Sequence, residues 1–439
     1  MEISVEYATL GMLGALLFLM LLGQSLAFIT LSIAVVGALV FIGPSSLPLL
    51  ASRIYAFVTE PALIAVPIFV LMATVLERSG VAKDLYDAMY VWAGALRGGV
   101  AMQTMLVAVV LAAITGIVGG EVVMLGLVAL PQLLRLGYNK HLALGTLASG
   151  GALGTMIPPS IVLILYGLTA GVSTGQLFIA AVIPGLLLAS LYILYIFVLC
   201  QLNPDAGPGL PKDECLPFRE RLKYLKKMAA PVLIAVWILG SIYGGIASVT
   251  ESAGVGCVAA LAVAFFRGKL NFSVMQQALA TTMDTCGRLF WLSFGAAALI
   301  GVFNIIGGSK YLTGLMAGLP LGPLGILLVM MAILVVLGMF MDWIGILILT
   351  MPIFVPIVIS LGFDPVWFGI LFCLNMQMSF ISPPFGPACF YLKSVAPPEI
   401  SLGDIFRGVL PFMFIQMIAL GLLIAFPQLA TWLPSVLSH

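Results

Sequence analysis

Charge is scarce in this sequence. Lys, Arg, Asp and Glu together make up 8% of its 439 residues, where soluble domains carry about a quarter. Histidine is scarcer, with only His141 and His439, and the six cysteines at 200, 215, 257, 286, 373 and 389 form no C-x-x-C pair. A structural zinc site or an iron–sulfur cluster would lack ligands at ligand spacing. An intramembrane serine protease would need a nucleophile motif and a histidine within the membrane. Neither His141, in a basic loop, nor His439, at the terminus, fits that role. No G-x-x-x-x-G-K-[ST] loop occurs, which disfavours an ATP-driven pump. The net charge is +1 and the basic residues are thinly spread or confined to short loops, so nucleic acid is not an expected partner. These absences point away from an enzyme.

What the chain has instead is apolar length. Hydrophobic residues make up 62% of it, and runs of about 20, enough to cross a bilayer, recur from end to end. The fold class expected is an all-α polytopic membrane protein. Run length and turn signals predict helices at 5–22, 26–42, 57–77, 98–134, 142–170 and 177–201, then at 229–247, 250–266, 285–305, 323–360, 365–395 and 403–426. Leu10 to Leu22 has no basic segment before it and another span directly after it, so it reads as a retained helix and not a signal peptide.

Segments 98–134 and 323–360 are too long for one crossing, at ~55 Å for about 37 residues. Each reads as a re-entrant hairpin, with its tip at "TGIVGGEV" (Thr115 to Val122) and "LGMFMDW" (Leu337 to Trp343), where glycine permits reversal. Between the halves, residues 203–228 form a proline-rich linker with six Lys/Arg residues, expected to be cytoplasmic. The domains expected are therefore 1–202, the linker, and 229–439. Placing the linker inside puts both chain termini outside and 16 of the 18 Lys/Arg residues on the cytoplasmic side, leaving Arg53 and Lys310 outside.

The halves repeat. At an offset of 225, Pro131 matches Pro356, Pro158-Pro159 matches Pro383-Pro384, and Tyr166 matches Tyr391. Five crossings plus a hairpin in each half would turn the second half upside down, an inverted-topology repeat of the kind used by secondary transporters. Both proline pairs interrupt a helix, at "SGGALGTMIPPS" (149–160) and "NMQMSFISPPFG" (375–386). A helix broken in lipid frees backbone groups that cost several kcal/mol each if left unpaired, so two matched breaks predict a cavity. A single break might only kink a helix or allow close packing.

The polar groups near the breaks are Ser149, Gly150, Thr155, Ser160, Asn375, Gln377, Ser379 and Ser382. Hydroxyls and carbonyls there suit a hard cation, and the amides suit a polar solute, although each can also bond within its own helix or to a neighbour. Ser149, Gly150, Ser160, Asn375 and Gln377 are the expected substrate contacts. Glu121 and Asp342 are the acids at the two tips, acting either as ligands or as supporting, helix-capping groups. Pro158, Pro159, Pro383 and Pro384 keep the breaks unwound.

"GYNKHLALGTLASGGALGTMIPPSIVLILYG" (137–167) and the segment from "MDWIGILILTMPIFVPIVIS" (341) to "PPEI" (400) resemble the large, DctM-type membrane subunit of tripartite ATP-independent periplasmic (TRAP) transporters, as does "TESAG" at 250–254. The resemblance implies a multi-pass bacterial inner-membrane symporter with an elevator-type, ion-transporter-superfamily-like fold, driven by sodium. It also implies a periplasmic solute-binding protein that delivers a small carboxylate, and a separate small four-helix membrane subunit. Sodium would sit at two sites, Gly119, Gly120, Gly154 and Thr155 in the first half and Gly338, Asp342, Ser379 and Ser382 in the second. Many relatives carry small hydroxyl residues where this first tip reads "GGE", so here backbone carbonyls or Glu121 would substitute. The alternative is a stand-alone sodium/dicarboxylate symporter without a binding protein.

Overall fold

Residues 4–116, 119–318 and 320–437 are described by the computed structural model, and among them there are helices and no strands. The first half holds α1 (Val5–Leu21), α2 (Leu26–Gly37, prolonged by a π-helical turn at Ala38–Ile42), α3 (Leu47–Val58), α4 (Ala65–Arg78), α5 (Val81–Tyr90), α6 (Gly99–Thr115), α7 (Gly120–Arg135), α8 (Lys140–Gly151), α9 (Ile161–Ala170) and α10 (Thr174–Leu202). The second half holds α11 (Phe218–Tyr243), α12 (Val249–Phe266), α13 (Phe272–Ile305), α14 (Gly308–Ala317), α15 (Pro323–Gly338), α16 (Trp343–Ser360), α17 (Pro365–Ile381), α18 (Pro387–Val395), α19 (Leu402–Ala425) and α20 (Gln428–Leu437).

Every helix expected from run length is present, and the long segments break where glycine and proline said they would. Segment 98–134 divides between Thr115 and Gly120, and 323–360 divides between Gly338 and Trp343. Residues 117 and 118 of the first expected tip lie outside the described residues, as does His439. Among the described residues, six helical segments are long and apolar enough to cross a bilayer, including α10, α13 and α19. The pieces α6, α8, α9, α15, α17 and α18 run only 9 to 17 residues. At 1.5 Å per residue none reaches the ~30 Å of a bilayer core alone.

Three boundaries moved, the first being α4, which starts at Ala65 after a separate 3-10 turn at Pro61–Ile64 where a helix from 57 was expected. Helix α11 starts at Phe218, inside the stretch read as linker, and α13 starts at Phe272 where 285 was expected. Both N-terminal portions are polar ("FRERLKYLKK", "FSVMQQALATTMD"), so apolar run length does not register them. The short helices α3, α5, α14 and α20, at 10 to 12 residues, were not expected from run length either. "VAKDLYDAMY" in α5, for example, buries Val81, Ala82, Leu85, Tyr86 and Ala88 on one face only.

Helix starts follow local chemistry. Ser248 and Glu251 form a reciprocal capping box on α12, Ser401 and Asp404 do so on α19, and the Asn139 side chain accepts from the His141 and Leu142 amides on α8. Such caps stabilise a helix by about 1 kcal/mol each.

The two broken helices form the centre of the core. Every residue of α8 from Leu142 to Gly151, and of α17 from Trp367 to Ile381, is buried. Tyr166 of α9 ties the halves together, since its hydroxyl donates to the Pro365 carbonyl at 2.6 Å and its ring stacks on Phe372. Helices α8 and α19 cross backbone to backbone, and a Cβ at Gly145 would lie 2.2 Å from the Gly408 carbonyl oxygen. Only glycine permits that approach.

Candidate functional site

The site begins at the helix breaks. In the first half, α8 ends at Gly151, a 3-10 turn runs from Ala152 to Thr155, and α9 starts at Ile161. Irregular backbone in between is held by side chains: the Thr155 hydroxyl donates to the Ala152 carbonyl at 3.0 Å and the Ser160 hydroxyl to the Thr155 carbonyl at 2.6 Å. In the second half, Ser382 to Gly386 separates α17 from α18, with the Ser382 hydroxyl donating to the Ser379 carbonyl at 3.3 Å. The bonds Pro158-Pro159 and Pro383-Pro384 are both cis.

Each tip meets the break of its own half. Gly116, at φ +60°, would place a Cβ 2.1 Å from the Pro159 carbonyl oxygen, and a Cβ at Gly151 would lie 2.9 Å from the Val122 nitrogen. A Cβ at Gly154 would come within 2.9 Å of Glu121 Oε1. In the second half the Ser379 hydroxyl donates to the Gly338 carbonyl at 2.7 Å. Of the residues expected to bind sodium, Gly338 and Ser379 are thus brought together, while Gly154 faces Glu121 and not Gly119 or Gly120. Ser382 lies one turn along from Ser379.

The two tip acids have different surroundings. Asp342 is the N-cap of α16 and accepts from the Ile344 amide at 3.4 Å, a position where the helix dipole favours negative charge. Glu121, in the first turn of α7, is 1% exposed. The Thr115 hydroxyl donates to its Oε1, while Oε2 is buried with no hydrogen-bond partner among the described residues. A buried carboxylate with one donor is costly, by several kcal/mol, and a cation at Oε2 would offset that cost.

Both tips open onto one cavity of about 720 Å³. Its walls include Thr115, Gly116, Gly119, Gly120, Glu121 and Thr155 from the first half, and Asp342, Trp343, Phe380, Phe385 and Tyr391 from the second. Further wall comes from α4 with Thr74 and Glu77, from α5 with Val81 and Ala82, and from α13 with Thr281, Asp284, Thr285 and Arg288. Tyr391, 225 residues after the core residue Tyr166, lies against the Gly119 tip, 3.2 Å from where a Cβ would be.

The other expected residues lie behind this wall. Ser149, Gly150, Ser160, Asn375 and Gln377 are buried but do not line the cavity. The Asn375 amide donates to the Met331 carbonyl at 3.2 Å, whereas Gln377 has neither side-chain atom paired among the described residues. Glu77, Asp284 and Arg288 were not singled out in the sequence. Glu77 ends an apolar run in "FVLMATVLER", and Asp284 with Arg288 sits at an i, i+4 spacing in a segment whose helix was taken to start at 285. Had α13 been read from Phe272, an Arg midway along it would have marked itself, since ionisable residues deep in such helices are usually functional.

With fold and cavity described, the chain can be set beside known proteins. Residues 13–429 match the family described as "Tripartite ATP-independent periplasmic transporter, DctM component". The chain is 30% identical to the C4-dicarboxylate TRAP transporter large permease protein DctM of Vibrio cholerae, over 96% of this chain and 98% of that protein. It is 29% identical to the ectoine TRAP transporter large permease protein TeaC of Halomonas elongata, over 96% and 98%. Among solved structures, the Alcanivorax borkumensis YdaH transporter superposes with a TM-score of 0.64 at 15% identity, over 96% of this chain and 99% of that one, a likeness of fold.

Proposed function

Because the chain belongs to the DctM component family of tripartite ATP-independent periplasmic transporters, we propose that it is the large, solute-conducting subunit of a sodium-coupled symporter that imports a small organic acid. In this reading a periplasmic solute-binding protein delivers the solute, a small membrane subunit braces the scaffold, and the assembly sits in the bacterial inner membrane with both termini of this chain on the periplasmic side. The tip–break pairs α6–α7 with α8–α9, and α15–α16 with α17–α18, act as re-entrant hairpins beside broken helices and move together as an elevator.

The observation that carries the proposal is the under-satisfied Glu121 carboxylate beside Gly154, facing the same cavity as Asp342. Two acids placed where tip meets break offer two cation sites. Gly119, Gly120, Gly154 and Thr155 would supply carbonyl or hydroxyl oxygens to the first, and Gly338, Ser379 and Ser382 to the second, oxygen sets suited to a hard cation. Asn375 and Gln377, Ser149, Gly150 and Ser160 would then shape the polar backing of the solute site from behind. One elementary charge moving down 100 mV yields about 2.3 kcal/mol. Two sodium ions with one monoanion carry one net charge inward, so voltage alone drives accumulation.

Uptake into proteoliposomes tests this reading. We expect saturable uptake with an inward sodium gradient, none with choline in its place, and a requirement for the binding protein. Sodium-driven uptake without any binding protein would favour a stand-alone symporter, and sodium-independent uptake would remove the coupling.

A further inference from the structure

We propose that Arg288 is the receptor for the carboxylate of the transported solute, held in a receiving orientation by Asp284. The inference rests on the transport reading above and adds the residue that selects the solute's charged group.

Five charged side chains line the cavity among the described residues: Glu77, Glu121, Asp284, Asp342 and Arg288. Arg288 is therefore its one cation there. Its side chain is exposed, and its bonds run to Asp284 one turn earlier on α13: Nε donates to Oδ1 at 3.1 Å and Nη2 lies 3.0 Å from Oδ2. This is a side-on pair, and it occupies one edge of the guanidinium. A guanidinium carries five N–H donors in a rigid plane. The opposite edge, formed by Nη1 and the outer Nη2 hydrogen, makes no hydrogen bond to any described residue. That edge has the two-donor geometry that matches a carboxylate bidentately.

Asp284 therefore orients the fork without blocking it. An exposed i, i+4 pair contributes little to stability, so a structural strut is a poor account of an arginine placed at a cavity wall. Thr281 and Thr285, on the same wall, offer hydroxyls to the rest of a polar solute. The charge count also explains coupling. Four acids share the cavity with one guanidinium, so cations bound beside the tip acids would favour docking of a carboxylate on Arg288.

The test is arginine labelling of the full chain in sodium-containing proteoliposomes. Phenylglyoxal incorporation at Arg288 is read by peptide mass spectrometry, with the linker-side Arg219 as internal control. The probes are succinate, ectoine, pyruvate and N-acetylneuraminate, each against its amide counterpart. At least one carboxylate should slow labelling of Arg288 about tenfold or more while leaving Arg219 unchanged, and its amide should not. Equal labelling with all four acids and their amides would overturn the assignment. Arg288→Lys keeps the charge and loses the fork, so KM for the protecting acid should rise at least about tenfold with the half-saturating sodium concentration unchanged. An unaltered KM would also overturn it. Absence of sodium-driven uptake by the wild type assembled with its binding protein and small membrane subunit would instead count against the transport reading, and the labelling result would still decide what Arg288 binds.

Discussion

Ser379 donates its hydroxyl to the Gly338 carbonyl across 2.7 Å, pinning the second tip to the second break. In the first half the position 225 residues earlier is Gly154, and what faces it is the Glu121 carboxylate. The same junction is therefore built twice with different chemistry. One copy has a hydroxyl against a carbonyl, and the other has bare backbone against a carboxylate.

The second junction has no room for a methyl group. A Cβ at Gly338 would lie 2.7 Å from both Cβ and Oγ of Ser379, and overpacking of this kind costs about 1–3 kcal/mol. Gly338→Ala should lower the melting temperature in detergent and raise the half-saturating sodium concentration. Adding Ser379→Gly should restore the melting temperature and leave sodium affinity impaired. Full recovery of both would mean that Ser379 only packs.

The first junction should respond differently. A Cβ at Gly154 would meet Glu121 Oε1 at 2.9 Å, the oxygen that accepts from Thr115. Because the obstacle is the end of a side chain, Gly154→Ala should fold and displace the carboxylate. Sodium affinity is expected to fall about tenfold or more, a loss of ~1.4 kcal/mol or greater. Wild-type sodium dependence in this variant would count against Glu121 acting at that place.

The crossing of α8 and α19 is structural. Gly145→Ala would drive a methyl group to within 2.2 Å of the Gly408 carbonyl oxygen, and backbone cannot step aside as a side chain does. Loss of folded protein by size-exclusion chromatography is expected, whereas Gly421→Ala, with open space around it on α19, should behave as wild type.

Outside the membrane segments, the linker docks through Glu214. Arg135 and the Tyr90 hydroxyl both donate to its carboxylate, at 2.8 to 2.9 Å, and these bonds hold its pKa below the usual carboxylate value. A depressed pKa contributes stability that is present above the unfolded value of about 4.3 and is lost as pH falls through the folded one. Glu214→Gln should therefore lower the melting temperature modestly at neutral pH, with the difference shrinking below about pH 4. A difference that grew on acidification would contradict this sign.

Much of the architecture was legible because its punctuation is local. The proline pairs at 158–159 and 383–384 and the glycines of the two tips act on their own backbone, so they mark breaks wherever tertiary structure places them. Their common offset of 225 is the basis on which the sequence predicts a repeat. Convergence was harder to read. Glu77 and Arg288 reach the cavity from α4 and α13, and nothing in "LERSG" or "TCGRLF" says which neighbours those helices meet. Ser149 and Asn375 failed to reach the cavity wall for a related reason. In a helix buried all round, sequence spacing cannot tell the cavity side from the core side.

The most direct measurement is equilibrium binding of radioactive sodium to the purified protein, in wild type and in Glu121→Gln and Asp342→Asn. The account predicts two ions per chain in the wild type, one in each variant and none in the double variant. Two ions retained in both single variants would contradict it.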